Sequence, residues 1–302
     1  TASGAGRLRA GLAGPQVNRG LLLDRFSSVA CRGAREGTPL FLCYQRGVAP
    51  DLGALLAFQN WMLIAGLAAG AAWESLAPYR AFGSGAERAR HAGRNLALGA
   101  AMVVIASVLV GASGLQAMLW AEMRGIGLLN LAALPWLVVV PIGFLLADLA
   151  DYMFHRLSHT WRWVWMLHAV HHSDPHLDTT SSVRTHPLHA LATIAWRVLV
   201  AFALGIPLWV SLARDAAAAP LAGLHHANLA WPGRVDRWLR WIVVTPAMHK
   251  LHHSPEPAST NANFGGLFSF WDRLLGTYRE PGSAPAAYWL AKLDAPRDQT
   301  LW

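Results

Sequence analysis

Residues 128–172 read LLNLAALPWLVVVPIGFLLADLADYMFHRLSHTWRWVWMLHAVHH, and the order of residue types along this stretch decides the fold. From about Leu128 to Ala147 it is almost continuously apolar. That approaches the ~20 residues a helix needs to cross a bilayer. It then turns polar at Asp148 and Asp151 and runs into histidines. His155-Arg-Leu-Ser-His159 is an H-x-x-x-H, and His168-Ala-Val-His171-His172 is an H-x-x-H-H. Residues three and four apart share a helix face, so each motif aims its imidazoles at one point. The stretch predicts an all-α, integral membrane helical protein carrying a histidine-rich helical cap.

Working outward, a second H-x-x-H-H follows at His249-Lys-Leu-His252-His253, and thirteen of the fourteen histidines lie between His155 and His253. Neutral imidazole is a good ligand for iron, copper, nickel and zinc. A lone histidine in an apolar region is usually a satisfied core residue. Three patterned motifs beside apolar spans call for another explanation, because ionisable groups at a membrane are costly and mark function by default. Eight aimed ligands exceed what one ion takes, since a tetrahedral zinc needs four. Two metal ions are the economical reading.

The remaining spans and the composition agree with a membrane setting. Only 14% of the 302 residues are charged and 54% are hydrophobic, against roughly 25% charged in an average soluble domain. Fifteen tryptophans suit the headgroup boundary. The net charge of +8 is read as basic loops on the cytoplasmic side, not as nucleic-acid binding. A first span runs from about Leu52 to Trp73, and a polar loop with Arg80, Arg88, Arg90 and Arg94 follows. A second span starts near Asn95 and closes around Gly114. The long region Leu188–Leu224 is broken at Gly205-Ile206-Pro207, where proline removes a donor, so it reads as a helical hairpin.

Residues 1–51 are rich in Gly, Ala and Arg and hold both cysteines, Cys31 and Cys43. An organelle transit peptide, a disordered basic tail or sequence upstream of the start codon all fit. The segment is expected to be poorly ordered and dispensable. The functional domain is expected over 52–281, with a C-terminal tail at 282–302. With no C-x-x-C pair, neither a thiolate zinc site nor an iron–sulfur cluster is available.

The three histidine motifs, in this order and after hydrophobic spans, resemble the fatty acid hydroxylase / sterol desaturase superfamily of membrane di-metal oxygenases. Supporting pieces match: Asp148-Leu-Ala-Asp-Tyr152, Trp165-Met-Leu-His168, Arg184-Thr-His186-Pro187, His226-Ala-Asn228, Asn263-Phe-Gly265, Phe270-Trp271-Asp272-Arg273 and Gly276-Thr-Tyr278. The resemblance covers about Trp73 to Tyr278. It is specific for the superfamily and says little of the substrate.

The resemblance implies nine ligands: His155, His159, His168, His171, His172, His249, His252 and His253 from the motifs, and His226 from the isolated H-x-N. Some relatives carry a further histidine four residues before that one; here Ala222 stands there, leaving a water or Asn228 as substitute. His225 is expected not to ligate. Asp148, Asp151, His186 and Asn228 are expected around the ligands, where a carboxylate commonly takes the second N–H of a metal-bound imidazole; His186 and His189 are equally read as entrance residues. Asp148 and Asp151 are equally read as a helix cap or partners of Arg156, and Asp272 and Arg273 equally as a structural pair or as catalytic. His91 and His176 are expected to matter little.

The implied cofactors are two iron ions, with zinc accommodated by the same ligands, and O2. The implied reaction is hydroxylation or desaturation of a C–H bond in a membrane lipid: an acyl chain, sterol or related isoprenoid. No G-x-G-x-x-G follows a strand and no haem signature is present, so electrons are expected from a separate ferredoxin or small cytochrome with its reductase. The rivals are a membrane zinc-dependent hydrolase, which would want a motif such as H-E-x-x-H, and a metal transporter, whose ligands should line a path through the bilayer.

Overall fold

The computed structural model describes residues 51–108, 112–131, 134–229 and 232–282, all within one compact unit, Ala49–Trp302. The basic segment, except Asp51, and the tail beyond Gly282 lie outside the described residues. Among the described residues there is no strand, only isolated bridges joining Pro78 to Leu229 and Val243 to Phe268.

The first span is helix α1, Leu52–Leu76, started by the Asp51 carboxylate, which accepts a hydrogen bond from Ala54 N at 2.7 Å. The expected Arg-rich loop is instead half helix. α2 runs Gly85–Ala106, because the Ser84 hydroxyl accepts from Glu87 N at 3.1 Å and Glu87 lies in the first turn. Such an N-cap with an acidic first turn opens a helix, so Arg88, Arg90 and Arg94 are helical. Two short helices follow, α3 (Ala112–Met123) and α4 (Leu128–Leu131).

The span expected at Leu128–Ala147 is shifted. Helix α5 is Trp136–Thr160, with Pro135 as its N-cap. Residues before a proline are pushed out of helical geometry, which keeps α4 and α5 apart. α5 then continues through Asp148, Asp151, His155 and His159 as one rod. Trp161, at φ −101° and ψ 112°, ends it and starts α6, Arg162–His172. A 3-10 turn, Thr179–Val183, leads to the expected hairpin: α7 (Pro187–Leu204) and α8 (Leu208–His226). Gly205 between them has φ 71°, and a Cβ there would lie 2.7 Å from Asn130 Nδ2, so only glycine turns this corner freely. Four short helices complete the cap: α9 (Gly233–Leu239), α10 (Pro246–His252), α11 (Pro257–Thr260) and α12 (Phe270–Leu274).

Among the described residues three helices, α1, α5 and α7, are long and apolar enough to cross a membrane. α1 turns Phe58, Trp61 and Ile64 outward, each more than half exposed, as a lipid-facing helix would. Its other face packs on α8 at backbone distance. A Cβ on Gly66 would fall 2.5 Å from Pro220 Cα, and small residues at such crossings are how helices associate where hydrophobicity gives no drive. The end of α1 is then clamped. Glu74, 3% exposed, accepts from Thr179 N (2.9 Å), Thr179 Oγ1 (3.0 Å) and Asn228 N (3.0 Å), and from Arg88 Nη2 (3.1 Å).

Candidate metal centre

The C-terminal ends of α5, α6, α8 and α10 converge, and with them every histidine of the three motifs. His155, His159, His168, His172 and His252 offer one nitrogen each within 4.8 Å of one another; His171, His226, His249 and His253 form a second such group. The groups are neighbours, the His172 and His253 rings stacking with centroids 4.3 Å apart. All nine expected ligands are thereby brought together in a five and a four. Neither group includes a carboxylate or a thiolate.

Backbone carbonyls set the orientation of four rings. His155 Nδ1 donates to Phe264 O (2.8 Å), His171 Nδ1 to Arg184 O (3.1 Å), His226 Nδ1 to Ala222 O (2.9 Å) and His252 Nδ1 to Ala262 O (2.8 Å). A ring that donates from Nδ1 presents an unprotonated Nε2. His171 Nε2 and His226 Nε2 then face each other, lone pair to lone pair, at 3.1 Å. His249 Nε2 stands 2.9 Å from His226 Nε2 and 3.1 Å from His253 Nε2. With metal–nitrogen bonds of about 2.0–2.1 Å, two ligands at right angles sit about 3 Å apart.

Burial adds a second test. His155 Nε2, both nitrogens of His159 and His168, His172 Nε2, His249 Nδ1 and His252 Nε2 are buried without any hydrogen-bond partner. Native proteins leave few such atoms, and a cation shared between lone pairs would satisfy one nitrogen of each ring. Burial first, and crowding by the other rings second, hold His168, His171, His172, His249, His252 and His253 well below the ordinary histidine range. They are neutral, the form that binds metal. The donor set fits two nitrogen-ligated metal ions.

The residues expected around the ligands are placed differently. Asp148, fully buried, accepts from Arg214 Nε (2.9 Å) and Nη2 (2.5 Å), from Trp271 Nε1 (2.9 Å) and from Phe268 N (3.2 Å). Asp151 takes both Arg197 Nε (2.7 Å) and Nη2 (2.5 Å) and a short bond from Arg214. Neither bonds a histidine, and neither pairs with Arg156. Asn228 is tied to the Arg80 backbone in both directions, 2.9 and 2.6 Å, so its amide is occupied. His186 caps α7, accepting from Leu188 N at 3.1 Å. His189, buried, lies against the His168 ring at 4.6 Å and meets Ser158 Oγ at 3.1 Å. His225 contacts Val244 O at 2.9 Å and belongs to neither group.

Carbonyl positioning falls to residues that the sequence reading gave no such part. Asp272, fully buried, accepts from Phe264 N (2.7 Å) and Gly265 N (3.0 Å), fixing the loop whose carbonyls hold His155 and His252. It does not pair with Arg273, whose guanidinium lies over the Tyr278 ring at 3.9 Å. Asn263 in that loop adopts φ 58°, stabilised by Asn263 Nδ2 donating to Arg279 O and Arg279 N donating back, both at 3.0 Å. Arg184, whose carbonyl holds His171, is itself tied to Val170 O (3.0 Å), Asn95 Oδ1 (3.1 Å) and Ser173 Oγ (2.9 Å).

His91 is a correction. It bridges Asp174 (2.7 Å) and Asp178 (3.1 Å), beside the second motif. Burial opposes a charged ring, but the two carboxylates outweigh it and push the pKa up to about 10. The part-buried His91 ring, paired with both carboxylates, thus holds α2 to the loop after His172.

The sequence that builds these two groups of imidazoles matches a known family model, described as fatty acid hydroxylase, over residues 140–277. Residues 140–277 are thus similar to the fatty acid hydroxylase family. That stretch runs from α5 to Thr277 and contains all nine histidines. Among characterised proteins, the ornithine lipid hydroxylase OlsE of Rhizobium tropici is 36% identical over 148 residues, 49% of this chain and 44% of that protein. Alkylglycerol monooxygenases are similar at lower identity: that of Xenopus tropicalis at 28% over 144 residues (45% of this chain, 29% of that one) and that of Homo sapiens at 23% over 146 (45% and 29%). The fatty acid hydroxylase match thus spans less than half the length of these relatives. No solved structure matches the chain.

Proposed function

We propose that the protein is an integral membrane monooxygenase that hydroxylates a C–H bond of a membrane lipid, with two iron ions held by nine histidines. The observation that carries this reading is the pairing of a five-histidine and a four-histidine group, all imidazole and all within ligand distance. His155, His159, His168, His172 and His252 would hold one ion, and His171, His226, His249 and His253 the other. An unactivated methylene has no acidic proton and no leaving group, and a bound iron pair supplies the oxygen-dependent oxidation that side chains lack. The chain's part is positioning. The carbonyls of Ala262, Phe264, Arg184 and Ala222 hold four rings with Nε2 inward, and neutral, buried imidazoles keep protons off the ligand atoms.

The relatives' names, hydroxylase and monooxygenase, support hydroxylation over desaturation. No carboxylate stands in either group to act as a hydrolase's general base, and the ligands cluster at helix ends rather than lining a path. The cage is assigned to the cytoplasmic side, because Arg80, Arg88, Arg90 and Arg94 accompany the clamped end of α1 and such loops are retained inside. Electrons would come from an external ferredoxin or small cytochrome with its reductase, docking on that basic face, where opposite charge speeds encounter.

The test supplies iron-loaded full-length protein in lipid with a reductase and carrier under 18O2. Lipid alcohol carrying the label, formed only with iron, oxygen and carrier together, is the expected result. An unlabelled alkene with the same requirements would replace hydroxylation by desaturation. Turnover without oxygen, or with zinc alone, would overturn the oxygenase reading.

A further inference from the structure

A cavity of about 420 Å³ lies among the apolar helices, its walls including Leu56, Leu115, Met118, Val198, Ile206 and Leu212. Its polar lining includes Gln59, Asp151, Arg197 and Asp215. Asp151 marks a polar end of the cavity and sits one helical turn before His155 on α5.

The ionic groups at that end do not balance. Three carboxylates, Asp148, Asp151 and Asp215, share two guanidiniums, Arg197 and Arg214. Arg214 Nε and Nη2 go to Asp148 at 2.9 and 2.5 Å, and Arg197 grips Asp151 with two bonds of 2.7 and 2.5 Å. Asp215 has only the long contacts, 3.3 Å from Arg197 Nη1 and 3.2 Å from Arg214 Nη1, and its side chain is 20% exposed. A surplus carboxylate among apolar helices is costly, and such groups are functional by default. A second, independent observation points the same way. Gln59 Oε1, in the part of the lining given by α1, is a buried acceptor with no donor.

The weakly held Asp215 and the donorless Gln59 Oε1 are both acceptors, one of them anionic, and most of the other lining residues are apolar. We propose that this cavity binds a lipid whose polar end carries a protonated amine, the amine meeting Asp215 and the chain filling the apolar walls. The cation balances the network three against three, and its N–H groups match the waiting oxygens, as charge-assisted hydrogen bonds require. A carboxylate or phosphate monoester in the same place would add a second uncompensated negative charge. The proposal rests on the lipid-oxygenase reading only for the fate of the bound molecule; binding itself does not depend on turnover.

The test uses the full chain in phosphatidylcholine nanodiscs with three hexadecyl photo-crosslinking probes differing only in the end group: amine, alcohol and carboxylate. Crosslinks are mapped by mass spectrometry. The amine probe is expected to label peptides containing Met118, Val198 and Leu212 at least about tenfold more efficiently than the carboxylate, the value of one charged hydrogen bond. Asp215→Asn should bring the amine down to the level of the alcohol, and Gln59→Leu should lower amine and alcohol together. Val198→Phe, which fills the cavity without touching a charge, should reduce all three, so the result does not hang on how well Asp215→Asn folds. Equal labelling by amine and carboxylate, a preference that survives Asp215→Asn, or crosslinks absent from these walls would overturn the assignment. None of those results bears on oxygen-dependent turnover, which is scored separately.

Discussion

Glu74→Ala removes one carboxylate from the end of α1 and strands donors on two distant loops. The backbone N–H groups of Thr179 and Asn228 each lose their acceptor, at 2.9 and 3.0 Å, and Thr179 Oγ1 loses one at 3.0 Å. A buried donor left unsatisfied costs roughly 1–3 kcal/mol, so the two N–H groups alone amount to roughly 2–6 kcal/mol. Arg88, about a third exposed, recovers much of its own loss from water and adds little. At roughly 2–4 °C per kcal/mol for a chain of this size, the thermal midpoint should fall on the order of 10 °C. Asn228 lies two residues beyond His226, so metal retained by the four-histidine group should fall as well. Glu74→Gln keeps one oxygen for Thr179 and Asn228 but turns its amide toward Arg88, and should fall between. The assay is tryptophan fluorescence during heating of the full chain in detergent, with metal content on the same samples. A Glu74→Ala midpoint within a degree or two of wild type, or Glu74→Gln the worse of the two, would refute the clamp.

Other substitutions separate positions that look alike. His91→Gln should destabilise by about 3–5 kcal/mol, since it leaves Asp174 and Asp178 buried without their cation, whereas His176→Gln should do little because its backbone N–H, not its ring, bonds Asp174. His91 is raised from 6.5 to about 10 in the folded chain. Its contribution is therefore complete below about pH 6.5 and fades as pH rises through 10, so the gap between wild type and His91→Gln in denaturation curves should be widest near pH 6 and close toward pH 10. Gly66→Ala should destabilise, with a Cβ 2.5 Å from Pro220 backbone, while Gly93→Ala in α2, with nothing within 4 Å, should stabilise by about 0.5–1 kcal/mol; the two midpoints should move in opposite directions.

The histidines were legible because their geometry is local. Spacings of three and four place ligands on one helix face whatever the rest of the chain does, and α5, α6 and α10 carry the three motifs as read. The hairpin at Gly205 was legible for the same reason, its signal lying in three consecutive residues. Partners far along the chain were not. Asp148 and Asp151 lie beside the first motif, yet their charges answer Arg214 and Arg197, 66 and 46 residues away. His91 is 83 residues from Asp174, and Glu74 is 105 from Thr179. Asp272 stood in a quoted motif, but its task, holding two backbone N–H groups, leaves no pattern in side-chain spacing. α2 differs in kind: its cap, Ser84 with Glu87 in the first turn, is a local signal, but the arginines that follow read as a polar loop.

The nine-histidine, two-metal claim is tested most directly by counting metal. Full-length protein loaded anaerobically with ferrous iron, freed of excess and measured by elemental analysis against protein concentration, should carry two irons per chain. His252→Ala, in the five-histidine group, and His171→Ala, in the four-histidine group, should each drop toward one iron and lose activity with it. One iron in the wild type, or two retained in both variants, would contradict the account.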